Sequence, residues 1–194
     1  MIWQQAMYAS GSTWMHNAAM KVAEALYPDR IVYGRFISMG DSVKVLNDNR
    51  EYTVVKTHHS LEQSTIDYLT EHADLLLVTT RDPVAALESL IKYHGYTREQ
   101  AIHKIESADE TCKLVQKNPK AIPCRYEDEF TTNPQTINWI AECLGGRLDQ
   151  KVSKNIFDSL QRPMIDALIA AFPPGVDFDP ITLWQRVHAG RNDS

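Results

Sequence analysis

The sequence is poor in the features that mark several protein classes. Its 194 residues hold three cysteines, Cys112, Cys124 and Cys143, in no metal-ligand spacing. An odd, scattered set argues against a disulfide framework and for a reducing compartment. No apolar run approaches the roughly 20 residues that span a bilayer. The first residues, Met-Ile-Trp-Gln-Gln, lack a basic segment followed by an apolar one, so no secretory signal is expected. Positive charge is not in surplus either: 20 Lys and Arg against 25 Asp and Glu leave a net charge of −5. That balance argues against general nucleic-acid binding, although it leaves room for a local basic pocket. Repeats, low-complexity tracts and Gly/Ser linkers are missing as well. What remains is ordinary globular composition, 43% hydrophobic. It predicts one cytoplasmic domain over 1–194, with no membrane or nucleic-acid partner. Oligomeric state is not legible.

The chain itself alternates strand-like with helix-like segments. Residues 4–9, 31–38, 52–58, 74–80 and 121–128 read as strands. The unbroken apolar run Leu75-Leu76-Leu77-Val78 suits a strand covered on both faces, as in a parallel sheet. A helix is predicted from Ser12, with Met15, Ala18, Ala19, Val22 and Leu26 on one face. Asp82-Pro83 supplies an N-cap and an N1 proline for a helix to His94. Further helices are predicted over 98–116, from Asn133-Pro134 to Gly145-Gly146, and over 149–172. The pattern specifies an α/β fold: a parallel sheet of about four to five strands flanked by helices in a three-layer sandwich. Ligands of such folds bind outside the carboxyl ends of the strands. Residues 10–14, 56–59, 81–82 and 126–128 all follow strand runs directly, so four segments are expected to meet at one edge.

The first of these, Ser10-Gly11-Ser12-Thr13, offers hydroxyls, a flexible glycine and the free N–H groups of a helix start, a combination that holds anions. The same residues also suit a plain N-capping turn. The turn contains no lysine or arginine and does not match G-x-x-x-x-G-K-[ST], which weakens an ATP reading. Arg81 closes a buried strand, and Ser89 lies eight positions later, two turns into the next helix. Together they suit a phosphate, although each also suits an ordinary surface role. In Val-Val-Lys-Thr-His-His-Ser, an extended strand puts Lys56 and His58 on one side and His59 on the other.

Taken in order, "SGSTW", "KTH", "RDP…S" and "RYED…NP…IAECLG" resemble the sulfotransferases that use 3′-phosphoadenosine 5′-phosphosulfate (PAPS). The resemblance covers residues 7–146. It implies a P-loop-like fold and sulfuryl transfer to a hydroxyl or amine of a small acceptor. It implies no metal and 3′-phosphoadenosine 5′-phosphate (PAP) as the product. Residue by residue, it implies that Ser10, Gly11, Ser12 and Thr13 hold the 5′-phosphosulfate end. Trp14 would stack on adenine and Tyr126 would reach it, while Arg81 and Ser89 bind the 3′-phosphate. His58 becomes the general base. Core packing is the competing role for Trp14 and Tyr126.

The chain departs from the family at Ala9, where a lysine of a Tyr-Pro-Lys-Ser-Gly pattern is usual. Lys56 is the first candidate to replace that lysine and Arg191 the second. The family's late Arg-Lys-Gly segment has no clear counterpart, with residues 188–191 as a weak stand-in. The stretch after His58 and the helix over 98–116 are expected to border the acceptor pocket, with Tyr93, His94 and Tyr96 as candidate contacts, although an aromatic patch at a helix end also suits packing. Glu127 and Asp128 are expected to pair locally. Two other readings stay open at this point: a catalytically silent binder of the same nucleotide, favoured by Ala9, and a nucleotide kinase.

Overall fold

The computed structural model describes residues 1–37 and 51–189. Five parallel strands form one sheet in the order β2-β3-β1-β4-β5. They are β1 (Ile2–Ala6), β2 (Ile31–Ile37), β3 (Glu51–Thr57), β4 (Leu75–Thr80) and β5 (Ala121–Arg125). The helices are α1 (Ser12–Leu26), α2 (Gln63–His72), α3 (Pro83–His94), α4 (Arg98–Val115), α5 (Gln135–Cys143), α6 (Gln150–Ser159) and α7 (Arg162–Ala170).

Alternate strand residues feed two cores. On one face Ile2, Tyr52, Val54, Leu75 and Leu77 pack with α1, α5, α6 and α7. On the other, Trp3, Val55, Leu76 and Val78 pack with α2, α3 and α4. This two-sided burial explains the continuous apolar run in β4. Because β1 lies between β3 and β4, crossovers leave it in both directions. The crevice therefore opens at its carboxyl end.

Several expected boundaries shift for identifiable reasons. The first strand runs over Ile2–Ala6 rather than 4–9, since Met7-Tyr8-Ala9 already belong to the turn. Gln4 and Gln5 are buried inside it despite their polarity. The Gln4 amide donates to the Ser12 carbonyl at 3.0 Å and to Thr79 Oγ1 at 3.2 Å, and Thr57 Oγ1 donates to Gln5 Oε1 at 2.6 Å. Helix α2 was not expected; only Ile66 and Leu69 of its ten residues are buried. The segment expected as one helix over 149–172 is two. Leu160 ends α6, Gln161 is extended, and Pro163 opens α7, where a proline lacking its N–H costs nothing. Tyr126–Asp128 form a 3-10 turn instead of extending β5. Ser38 and Arg191 lie outside the described residues.

Helix α1 starts after Gly11, which sits at φ 68. A Cβ there would come within 2.9 Å of Tyr126 and 3.1 Å of Phe130. Glycine thus serves both the left-handed turn and the close approach of the segment after β5. Gly34 in β2 is as tightly enclosed, by Met20, His16 and the Ile181 carbonyl.

Candidate active site

A cavity of about 700 Å³ opens at the carboxyl edge of the sheet. The Gly11–Trp14 turn, Lys56 near the end of β3 and His58 just after it, Arg81 after β4, Ser89 on α3 and Tyr126 after β5 all line it. Four strand ends and one helix are thereby brought together. Arg162 at the start of α7 adds a second arginine. Among the described residues no Asp or Glu lines it, although acidic side chains outnumber basic ones in the chain.

At the turn, Ser12 and Thr13 face the cavity and Ser10 does not. The Ser10 hydroxyl donates to the Met7 carbonyl at 2.6 Å and its oxygen lies 3.2 Å from the Thr79 hydroxyl, bracing the turn from beneath. Lys56 is buried, and its Nζ donates to Thr13 Oγ1 at 2.9 Å. No carboxylate pairs with it among the described residues. Burial pushes its pKa down to about 7, because an ammonium loses hydration there with little in return.

His58 Nδ1 lies 2.8 Å from the Ala6 carbonyl. A carbonyl only accepts, so Nδ1 carries the proton and Nε2 keeps its lone pair. Burial first, and the Lys56 charge second, hold the imidazole neutral by lowering its pKa well below the usual value. Its ring stacks on Tyr8 at 4.5 Å and 13° and lies 5.8 Å from Phe36. His59 turns away, its Nδ1 3.1 Å from the Tyr8 hydroxyl. It does not line the cavity.

Arg81 donates from an Nη to the Ala9 carbonyl at 3.0 Å, and its guanidinium lies 4.4 Å from the centre of the Tyr126 ring. The guanidinium therefore lies beside the turn. Ala9 itself adopts φ 55, and this left-handed bend aims its carbonyl at Arg81. Asp82 caps α3 through Ala85 N–H, and Glu127 accepts from the Asp82 N–H at 2.7 Å. Glu127 is thus engaged locally. Trp14 lines the cavity, but its ring is largely buried. It packs near Phe130 and Phe157, with Nε1 donating to the Leu160 carbonyl at 3.2 Å.

Tyr8, Phe36, Leu160, Arg162 and Trp184 line the cavity without having been singled out from the sequence. The expectation of one helix over 149–172 hides Arg162; Pro163, at home in the first turn of a helix, is the signal that a new one starts there. Of the aromatic cluster near the end of α3, His94 and Tyr96 line the cavity and Tyr93 does not. Among the described residues no group of three or more His, Cys, Asp or Glu is arranged to hold a metal. No helix there is long and apolar enough to cross a membrane.

No protein-family model matches the sequence, and no curated protein matches it either. Solved structures do match in shape. Mouse sulfotransferase SULT7A1 complexed with PAP superposes with a TM-score of 0.67 at 15% identity, covering 98% of this chain and 74% of that one. Retinol dehydratase complexed with androsterone and the inactive cofactor PAP gives 0.60 at 13% identity, covering 87% and 66%. Retinol dehydratase with retinol and PAP also gives 0.60 at 13% identity, covering 85% and 65%. The chain thus spans about two thirds of the length of the retinol dehydratase chains. The parallel sheet and these likenesses together show that the chain has a sulfotransferase-like fold.

Proposed function

We propose that the protein transfers a sulfuryl group from PAPS to a hydroxyl or amine of a small acceptor. The observation that carries this reading is the cavity wall, which presents Lys56, Arg81 and Arg162 and, among the described residues, no carboxylate. A ligand with phosphate at both ends of a ribose suits such a wall, and so does charge dispersal during transfer. The neighbours in shape, crystallised with PAP, support the same donor.

In this reading the N–H groups at the start of α1 and the Ser12 and Thr13 hydroxyls hold the 5′ end. Arg81 and Ser89 hold the 3′-phosphate, the group that distinguishes this nucleotide from ADP. Tyr126 and the edge of Trp14 border the base. His58 Nε2 accepts the acceptor's proton, with Nδ1 anchored on Ala6 so that the ring keeps its tautomer. PAPS supplies the sulfuryl group, whose bond to the 5′-phosphate oxygen breaks as the acceptor oxygen or nitrogen bonds to sulfur. Lys56, delivered to the turn through Thr13, offsets the charge left on that oxygen and takes the place vacated at Ala9.

Calorimetry tests the donor assignment: PAP should bind much more tightly than ADP without magnesium, and equal affinities would remove it. A second reading, a silent binder of the nucleotide, is favoured by Ala9 alone. Sulfate transfer measured over an acceptor panel separates the two, since the binder shows none.

A further inference from the structure

One cation beside the site has no task in this scheme. Lys104, on α4, is half-buried, and no carboxylate pairs with it among the described residues. Its ammonium is held over two aromatic rings instead, 5.2 Å from the centre of Tyr8 and 5.0 Å from that of Tyr96. Both tyrosines line the cavity. Tyr8 is also the ring stacked on His58, so a single side chain separates Lys104 from the nitrogen assigned as base. The arrangement is fastened from below. Ser107, three residues on and therefore on the same face of α4, shares a 2.8 Å hydroxyl contact with Ser60, just after His59.

The turn end of the cavity is taken by the donor, so the acceptor must occupy the end at His58. That end presents the aromatic surfaces of Tyr8, Phe36 and Tyr96, with Lys104 behind two of them. A partly desolvated ammonium with only ring faces for company is poised to gain from an anion. Among the described residues, the cavity wall carries no carboxylate to repel one. Resting on the sulfotransferase reading, we propose that the acceptor is an anionic phenol, and that Lys104 is the residue that selects for its negative substituent. Its field reaches the base as well, since the Lys104 charge helps keep His58 and His59 neutral.

The test uses the full chain and a matched pair of probes, 4-hydroxybenzoate and its methyl ester. These differ in charge and share the phenol. Binding to the PAP-loaded protein is measured by calorimetry and turnover by sulfate transfer from PAPS. The wild type should prefer the acid by about tenfold or more at low salt. Lys104→Met should abolish that preference while leaving the ester and PAP unchanged, and Lys104→Arg should retain it. Equal use of the two probes, binding of neither by PAP-loaded protein, or an equal loss for both in Lys104→Met would each overturn the proposal. The last result would mark a packing role, and Lys104→Gln repeats the comparison should the methionine variant lose PAP binding. Failure of the wild type to bind PAP at all would instead remove the sulfotransferase reading beneath it.

Discussion

The ammonium of Lys56 donates to the Thr13 hydroxyl across 2.9 Å, which joins the end of β3 to the first turn of α1. A buried cation is thereby delivered to a turn that has none of its own. A seated phosphate or sulfonate should raise the Lys56 pKa from its value of about 7. Below pH 7 the empty protein already holds that proton, and this group gives no pH slope. Above pH 7 the proton must be taken up on binding, so PAP affinity should fall by at most about tenfold per pH unit. Calorimetry from pH 6.5 to 9 checks this, and Lys56→Met should flatten the decline.

Arg81 is expected to carry much of the nucleotide affinity. Removing a charge-assisted donor costs about 1.5–3 kcal/mol. Arg81→Ala should therefore weaken PAP binding by about tenfold to a hundredfold while leaving ADP affinity closer to unchanged. A loss shared equally by both nucleotides would place its effect in the shape of the turn, through the contact with Ala9.

His58→Gln should separate binding from chemistry. The amide can still meet the Ala6 carbonyl but cannot act as the base. PAP affinity should hold within a few-fold, and sulfate transfer should drop by about 100-fold to 10,000-fold. Turnover at the wild-type rate would exclude His58 as the base.

His16 predicts acid sensitivity that has no connection with catalysis. It is fully buried on α1, with Nε2 3.3 Å from the Ile181 carbonyl and Nδ1 without a partner. Burial, and then the Lys56 charge, lower its pKa to about 3. The unfolded chain takes up this proton near pH 6.5 and the folded one does not. Its share of stability is therefore complete above pH 6.5 and is lost as pH falls toward 3. Between pH 7 and pH 5 that amounts to about 2 kcal/mol. Urea midpoints at the two values should converge in His16→Gln relative to the wild type.

Gly34→Ala should destabilise the fold from the opposite side of that histidine. The added Cβ would stand 2.3 Å from the Ile181 carbonyl oxygen, 2.6 Å from Met20 Sδ and 2.7 Å from His16 Nε2. The backbone oxygen cannot move without its segment, so a cost of about 1–3 kcal/mol is expected, read as a lowered urea midpoint.

Local signals with a physical mechanism located the elements that matter most. The Asp82-Pro83 cap, the apolar run of β4 and the small-residue turn before α1 each state their structure within a few residues. Elements held by tertiary contacts were less visible. Gln4 and Gln5 look like the outside of a protein, and contacts with the nearby Ser12 and with the distant Thr57 and Thr79 make them tolerable inside β1. Helix α2 hangs on two apolar residues, too few to show a period. At the site, Lys56 and His58 could be paired from strand alternation. Tyr8 could not be found in the same way, because its partners His58 and Lys104 come from β3 and α4.

The carboxylate-free wall inside a chain of net charge −5 has a consequence for encounter as well as for affinity. The net negative charge repels an anion at a distance, while Lys56, Arg81 and Arg162 attract it within about a Debye length of the mouth. Extended polyanions are turned away at a distance, whereas a compact one that enters is drawn onward. Moderate salt should accordingly quicken capture, since it screens the distant repulsion before the close attraction, and the mouth would sort its visitors by size before any contact is made.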